Sequence, residues 1–159
     1  MTPAIKQAQK AGIWFAVHEY QHDPNTEAYG LEAAQALGLD PAQVFKTLLV
    51  CIEGGIKKMA VGIVPVTQFL DLKQMAKALK VKSVEMANPK DAERITGYIV
   101  GGISPLGQKK CLPTVLDETA LSFSHIYVSG GRRGLDIELA PQDLLQLCKA
   151  NCSSIARIR

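Results

Sequence analysis

Lys46 stands directly before Thr47-Leu48-Leu49-Val50-Cys51-Ile52, a continuous apolar run with the character of a buried strand. An ammonium at the mouth of such a strand has two readings. It snorkels to water past its apolar neighbours, or the rigid strand aims its three N–H donors and single charge at a carbonyl or an anion. Two glycine-rich stretches pose a similar choice: Val100-Gly101-Gly102-Ile103-Ser104-Pro105 and Val128-Ser129-Gly130-Gly131-Arg132-Arg133-Gly134, each after an expected strand. Either they are tight turns that need positive φ, or their consecutive N–H groups close on an oxyanion or a phosphate. Gly131 and Gly134 bracket Arg132 and Arg133, and Gly107 precedes Lys109 and Lys110. Basic pairs beside glycine turns strengthen the phosphate reading. Asp136 follows the second turn, where a carboxylate can orient a cation or cap backbone amides.

Several common chemistries are missing. There is no GxSxG, HExxH or kinase signature, and no GxGxxG at a strand–helix turn. The stretch from Gly102 to Lys110 imitates a phosphate loop, but its lysine falls one place late and Lys110 stands where a Ser or Thr should serve magnesium. His18, His22 and His125 lack metal-ligand spacing, so each reads as a satisfied or solvated imidazole, and nothing in the sequence assembles a Ser–His–Asp triad. Cys51, Cys111, Cys148 and Cys152 form no CxxC pair, and Cys148 and Cys152 read as neighbours on one face of a helix. Reduced structural thiols in a cytoplasm are the expectation.

The elements that must position these residues follow from 159 residues, 47% hydrophobic and 21% charged, the size and make-up of one globular domain with a real core. A net charge of +3 is too small for a general DNA-coating protein and suits local contact with phosphate. No apolar run approaches the roughly 20 residues of a membrane span, and Met1-Thr2-Pro3-Ala4-Ile5-Lys6 lacks a signal peptide's apolar core. Thr2-Pro3, Asp40-Pro41 and Asp71 read as capped helix starts, and Gly12 and Gly38 as helix ends. Helices are expected near 3–10, 30–37, 72–79, 89–95 and 142–149. Strands are expected near 14–20, 47–52, 58–64, 83–86, 98–100, 114–116, 126–128 and 136–139, with Glu53-Gly54-Gly55 as a hairpin turn. Helices and strands alternate without a regular βαβ repeat, which indicates an α+β fold with a mixed, largely antiparallel sheet.

The residues Lys46-Thr47-Leu48-Leu49-Val50, the stretch from Thr96 to Gly107 and the stretch from Ile126 to Ile137 resemble the YbaK family, free-standing relatives of the editing domain of bacterial prolyl-tRNA synthetase. The three motifs occur in order, and the resemblance runs over essentially the whole chain, with the wording closest to the Cys-tRNA(Pro) deacylases. It implies a single editing domain over 1–159, a barrel-like sheet flanked by helices, and hydrolysis of the ester between cysteine and the terminal adenosine of tRNA(Pro). It implies catalytic roles for Lys46 and for the Gly101 backbone, which helps hold the scissile carbonyl, and pocket positions for Tyr20, Tyr29, Thr47, Ser129 and Asp136. Lys109, Lys110, Arg132 and Arg133 become candidates for tRNA phosphate. Tyr29 departs from the family's phenylalanine, and Cys111 stands where a basic residue is usual.

The resemblance further implies that the substrate's own thiol attacks, that neither metal nor organic cofactor is needed, and that tRNA is chosen in a transient complex with prolyl-tRNA synthetase in the cytoplasm, with no DNA or membrane partner. An aminoacyl ester is already activated, so fixing geometry (about 7–11 kcal/mol) and supplying oxyanion donors (about 3–4 kcal/mol each) go far. Two alternatives stay open: a module that binds aminoacyl-tRNA or a nucleotide without turnover, and a broader aminoacyl-ester hydrolase. Replacing Cys51, Cys111, Cys148 and Cys152 together by Ser or Ala is expected to leave substantial deacylation, with some loss of stability at Cys51. A folded but inactive variant in a deacylation assay contradicts the substrate-thiol expectation.

Overall fold

Caps written into the sequence start three of the helices. Thr2 accepts the Ile5 N–H ahead of α1 (Pro3–Ala11), Asp71 accepts from Lys73 and Gln74 ahead of α3 (Leu72–Leu79), and Asn88 accepts from Lys90 ahead of α4 (Pro89–Thr96). Proline in the first turn of α1 and α4 gives up an N–H that had no partner there. The computed structural model describes residues 1–53 and 55–158, with backbone alone at 55–57. The remaining helices are α2 (Tyr29–Leu37) and α5 (Pro141–Cys148), with short 3-10 turns at Pro41–Gln43 and Glu118–Ser122. Gly54 of the expected hairpin turn lies outside the described residues.

The strands are β1 (Phe15–Glu19), β2 (Phe45–Ile52), β3 (Gly55–Pro65), β4 (Gln68–Leu70), β5 (Val84–Met86), β6 (Thr114–Asp117), β7 (Ile126–Arg132), β8 (Leu135–Leu139), β9 (Asn151–Ser153) and β10 (Ala156–Ile158). They form a five-stranded sheet in the order β5-β2-β3-β6-β9, a three-stranded sheet β1-β8-β7 and a two-stranded pair β10-β4. Pairing is antiparallel except for β3–β6 and β6–β9. The fold is α+β with mixed, mostly antiparallel pairing, as expected. The barrel-like closure is corrected: a single bridge, Val44 with Tyr127, joins the two larger sheets, and no continuous ladder closes on itself among the described residues.

Alternation along β2 explains its unbroken apolar run. Phe45, Leu49 and Cys51 pack in one cluster with Ile126, Val128, Ile137 and Leu139 of the three-stranded sheet. Val50 packs on the other side with Met75 and Ala76 of α3. The five-stranded sheet is therefore covered on both faces, which removes the polar alternation of a half-exposed strand.

Three expectations need correction. Residues 98–100 are not a strand: Glu93 and Arg133 side chains take the backbone groups of Val100 that a neighbouring strand would take. Gly130 and Gly131 are not a turn but lie within β7, where the register slips between Ser129 and Arg132 and leaves the turn to Arg133-Gly134. Cys148 ends α5 while Cys152 lies on β9, so the two do not share a helix face.

Candidate functional site

β3 pairs with β2 along its whole length, but β5 covers the other edge only at Val50, Cys51 and Ile52. The Leu49 carbonyl accepts from the Ala87 N–H, and then Asn88 caps and Pro89 opens α4, so the covering chain leaves. Along an antiparallel strand, backbone groups of alternate residues face the same edge. Thr47, two residues before Leu49, thus turns its N–H and C=O to the uncovered side. A cleft of about 380 Å³ fills that space. Its walls are β2 from Phe45 to Leu49, the start of α2, the Met86–Ala92 region, the Val100-Gly101 turn, and Tyr20, Ser129 and Asp136 from the three-stranded sheet and its margin.

Lys46, Gly101, Tyr20, Tyr29, Thr47, Ser129 and Asp136, separated widely in sequence, all line this one cleft. Ser129 and Asp136 are cross-strand partners on β7 and β8, so their side chains emerge on one sheet face. Tyr20 is fixed at the end of β1 by its N–H to the Gly134 carbonyl. Asp136 is 5% exposed, and burial raises its carboxyl from an ordinary 3.8 to about 7. Burial, reinforced by the Asp136 charge, raises the Tyr20 phenol to about 12, so it stays a neutral donor. Thr47 Oγ1 is a buried oxygen without a hydrogen-bond partner among the described residues. An unsatisfied buried hydroxyl costs about 1–3 kcal/mol, which a bound ligand atom can return.

The turn Ile99–Gly102 is closed by the Gly102 N–H on the Ile99 carbonyl at 2.9 Å, and Gly101 has φ 89°. That combination is a type II turn, which favours glycine at its third position. The Val100 N–H donates to Glu93 Oε2 at 2.8 Å, and Arg133 donates Nε and Nη2 to the Val100 carbonyl at 2.9 and 2.7 Å. The guanidinium also lies 4.8 Å from the Tyr29 ring centroid. A Cβ at Gly102 would stand 2.7 Å from the Arg132 Cα, so only glycine lets this turn reach the β7 backbone.

The four basic candidates do not line a common cleft. Arg133 is held at the turn, Arg132 lies 3.7 Å from Glu19, and Lys110 lines a second cleft with Gln7, Gly107, Cys111 and Cys148. Lys109 anchors its N–H on Thr96 and lines neither cleft. The histidines pair with carboxylates: His18 and His125 both contact Glu138 at 2.9 Å, and His22 contacts Glu32 at 2.7 Å. Among the described residues lining the main cleft there is neither a histidine nor a cysteine. Sequence reasoning missed the Glu93 and Arg133 clamp. Its one local trace is Glu93 near the end of α4, since Arg133 meets Val100 across 33 residues.

A family model described as the aminoacyl-tRNA editing domain matches residues 23–147. The chain belongs to the aminoacyl-tRNA editing domain family. Over 122 residues it is 46% identical to EbsC of Enterococcus faecalis, whose name provisionally assigns it as a Cys-tRNA(Pro)/Cys-tRNA(Cys) deacylase; the match covers 77% of this chain and 73% of that protein. It is 30% identical over 106 residues to a proline–tRNA ligase of Acidithiobacillus ferrooxidans, covering 67% of this chain but 18% of the ligase. A crystal structure provisionally described as a trans-editing enzyme for prolyl-tRNA synthetase superposes with a TM-score of 0.81 at 26% identity, covering 99% of each chain.

The raised Asp136 carboxyl makes stability depend on pH. Its folded pKa lies above the unfolded value, so the folded protein binds the extra proton and loses stability as pH rises from about 4 to about 7. The loss has an upper limit of about 4 kcal/mol. Asp136→Asn is expected to gain thermal stability relative to wild type across that window, with the gap level above it. Melting temperatures that run parallel for the two proteins from pH 4 to pH 8 contradict the assignment.

Proposed function

We propose that this chain hydrolyses the ester joining cysteine to the 3′-terminal adenosine of tRNA(Pro), releasing cysteine and tRNA(Pro). The observation that carries the reading is the convergence of Lys46, the Gly101 turn and the polar group Tyr20, Ser129 and Asp136 on one cleft. Family membership and the EbsC relative support the substrate class.

The Lys46 ammonium and the Gly101 N–H hold the carbonyl oxygen. The cysteine sulfur attacks the carbonyl carbon and loses its proton, the tetrahedral oxyanion collapses, and the 3′ oxygen leaves with a proton. Water then opens the resulting thiolactone to free cysteine. The protein acts mainly by orientation and charge, contributions worth several kcal/mol each. A cleft lining without histidine or cysteine suits a nucleophile brought by the substrate.

A rival reading makes Ser129 the nucleophile of a broader ester hydrolase, and the cross-strand pairing of Ser129 with Asp136 favours it. Against it, Ser129 Oγ already accepts the Gly131 N–H at 3.2 Å, and Asp136 is too buried to ionise readily below neutral pH. A protein of this size reads little of a tRNA body, so we assign tRNA choice to a transient complex with prolyl-tRNA synthetase in the cytoplasm. The related segment within the ligase supports that partner.

The test uses proline tRNA charged separately with cysteine, alanine and proline, with the loss of each ester followed in time. Rapid loss of the cysteinyl ester is expected, with the prolyl ester spared. Lys46→Ala is expected to lower the rate at least about 100-fold with an unchanged circular-dichroism spectrum. Lys46→Arg should rescue poorly, because a planar fork does not replace a compact ammonium. Full activity in a folded Lys46→Ala variant contradicts the assigned site, and full activity with loss on Ser129→Ala selects the rival.

A further inference from the structure

The Val100 carbonyl and the Gly101 N–H belong to one peptide group, and a trans peptide points them in opposite directions. Whatever fixes the carbonyl therefore aims the N–H. In the turn Ile99–Gly102 this is the central peptide, whose flip interconverts type I and type II turns. Glycine tolerates both arrangements, so Gly101 alone does not choose between them. Flipping would replace the N–H that the editing reading aims at the substrate by a carbonyl oxygen, which repels a developing oxyanion.

Arg133 supplies the choice. Two donors of its fork converge on the Val100 oxygen at 2.9 and 2.7 Å, while Glu93 holds the Val100 N–H at 2.8 Å. Stacking at 4.8 Å on Tyr29, itself a wall of the cleft, keeps the guanidinium in place. A Cβ at Gly101 would lie 2.9 Å from Arg133 Nε, so the approach depends on the missing side chain. A cation bonded to an amide oxygen also draws electron density from the amide nitrogen, which makes its N–H a stronger donor.

We infer that Arg133 is a positioning residue that locks the Val100–Gly101 peptide in one orientation and polarises its N–H toward the substrate carbonyl. The inference rests on the editing reading above and departs from the sequence expectation that Arg133 meets tRNA phosphate. A phosphate contact and a peptide lock differ in what their loss changes. Removing a phosphate contact raises KM and lowers the salt slope of binding by about 0.7–0.9. Removing the lock lowers kcat and leaves both nearly alone.

Arg133→Met and Arg133→Lys in the full chain test this with Cys-tRNA(Pro) kinetics at several salt concentrations and with the 15N–1H spectrum of the free protein. Arg133→Met is expected to lower kcat about 10–100-fold, below the loss of a whole oxyanion donor, with KM and salt slope within about twofold of wild type. The Gly101 amide signal should move or broaden while the core signals stay in place. Arg133→Lys should recover part of kcat and part of the Gly101 shift, since an ammonium keeps one bond but neither the fork nor the stack. If Arg133→Met does not fold, the Lys variant carries the same readouts. An unmoved Gly101 signal, or a raised KM with a reduced salt slope and wild-type kcat, overturns the lock. Wild-type protein inert toward Cys-tRNA(Pro) would count against the editing reading instead, with the Gly101 signal still reporting on the peptide.

Discussion

The cleft exists because strand pairing stops. β5 covers β2 only from Val50 to Ile52, and the chain cannot continue the ladder because Asn88 caps a helix that begins at Pro89. Proline offers no N–H to a sheet, and the capped helix takes the following residues out of the extended conformation. An edge of a sheet packed on both faces is thereby left open at Thr47, a place where backbone donors and acceptors ordinarily find a neighbouring strand. Every other wall is arranged around that gap: the start of α2, the turn at Gly101, and the face of the three-stranded sheet that carries Ser129 and Asp136.

What fills the gap must suit its chemistry. A lysine at a strand end, a buried carboxyl near neutrality and a threonine hydroxyl unpartnered among the described residues offer hydrogen bonds and modest charge. Such a site works on a bond that is already activated, where orientation and oxyanion stabilisation supply most of the acceleration. The rigid parts are where the proposed mechanism needs them. Lys46 and Thr47 ride on a strand packed on both faces, and the turn at Gly101 is held from two sides by side chains of opposite charge.

Features of short sequence range were readable in the chain. Thr2 and Asp71 each accept backbone N–H groups within the next three residues, and each marks its helix start as expected. Of the residues that line the cleft, Lys46, Thr47, Gly101, Ser129 and Asp136 were legible in the three motifs shared with a family, and Tyr20 and Tyr29 through the same resemblance, none of them through periodicity. What escaped was set by distant partners. Residues 98–100 have the β-branched character of a strand, yet Glu93 and Arg133 claim the Val100 backbone. Gly130 and Gly131 read as a turn, but β8 pairs across them through a bulge. Burial raises Asp136, which its position after a turn did not announce, and Arg133 reads as a candidate phosphate contact until its bond to Val100 is seen.

The central claim is that the aminoacyl-adenosine end lies in the β2-edge cleft with its carbonyl at Lys46 and Gly101. A crystal structure with adenosine carrying cysteine through a stable 3′-amide tests it most directly. The account predicts the amide carbonyl oxygen within hydrogen-bond distance of Lys46 Nζ or the Gly101 N–H, and the cysteine side chain beside Tyr20, Ser129 and Asp136. An analogue seated in the second cleft beside Lys110, or one whose carbonyl faces away from both Lys46 and Gly101, would contradict it.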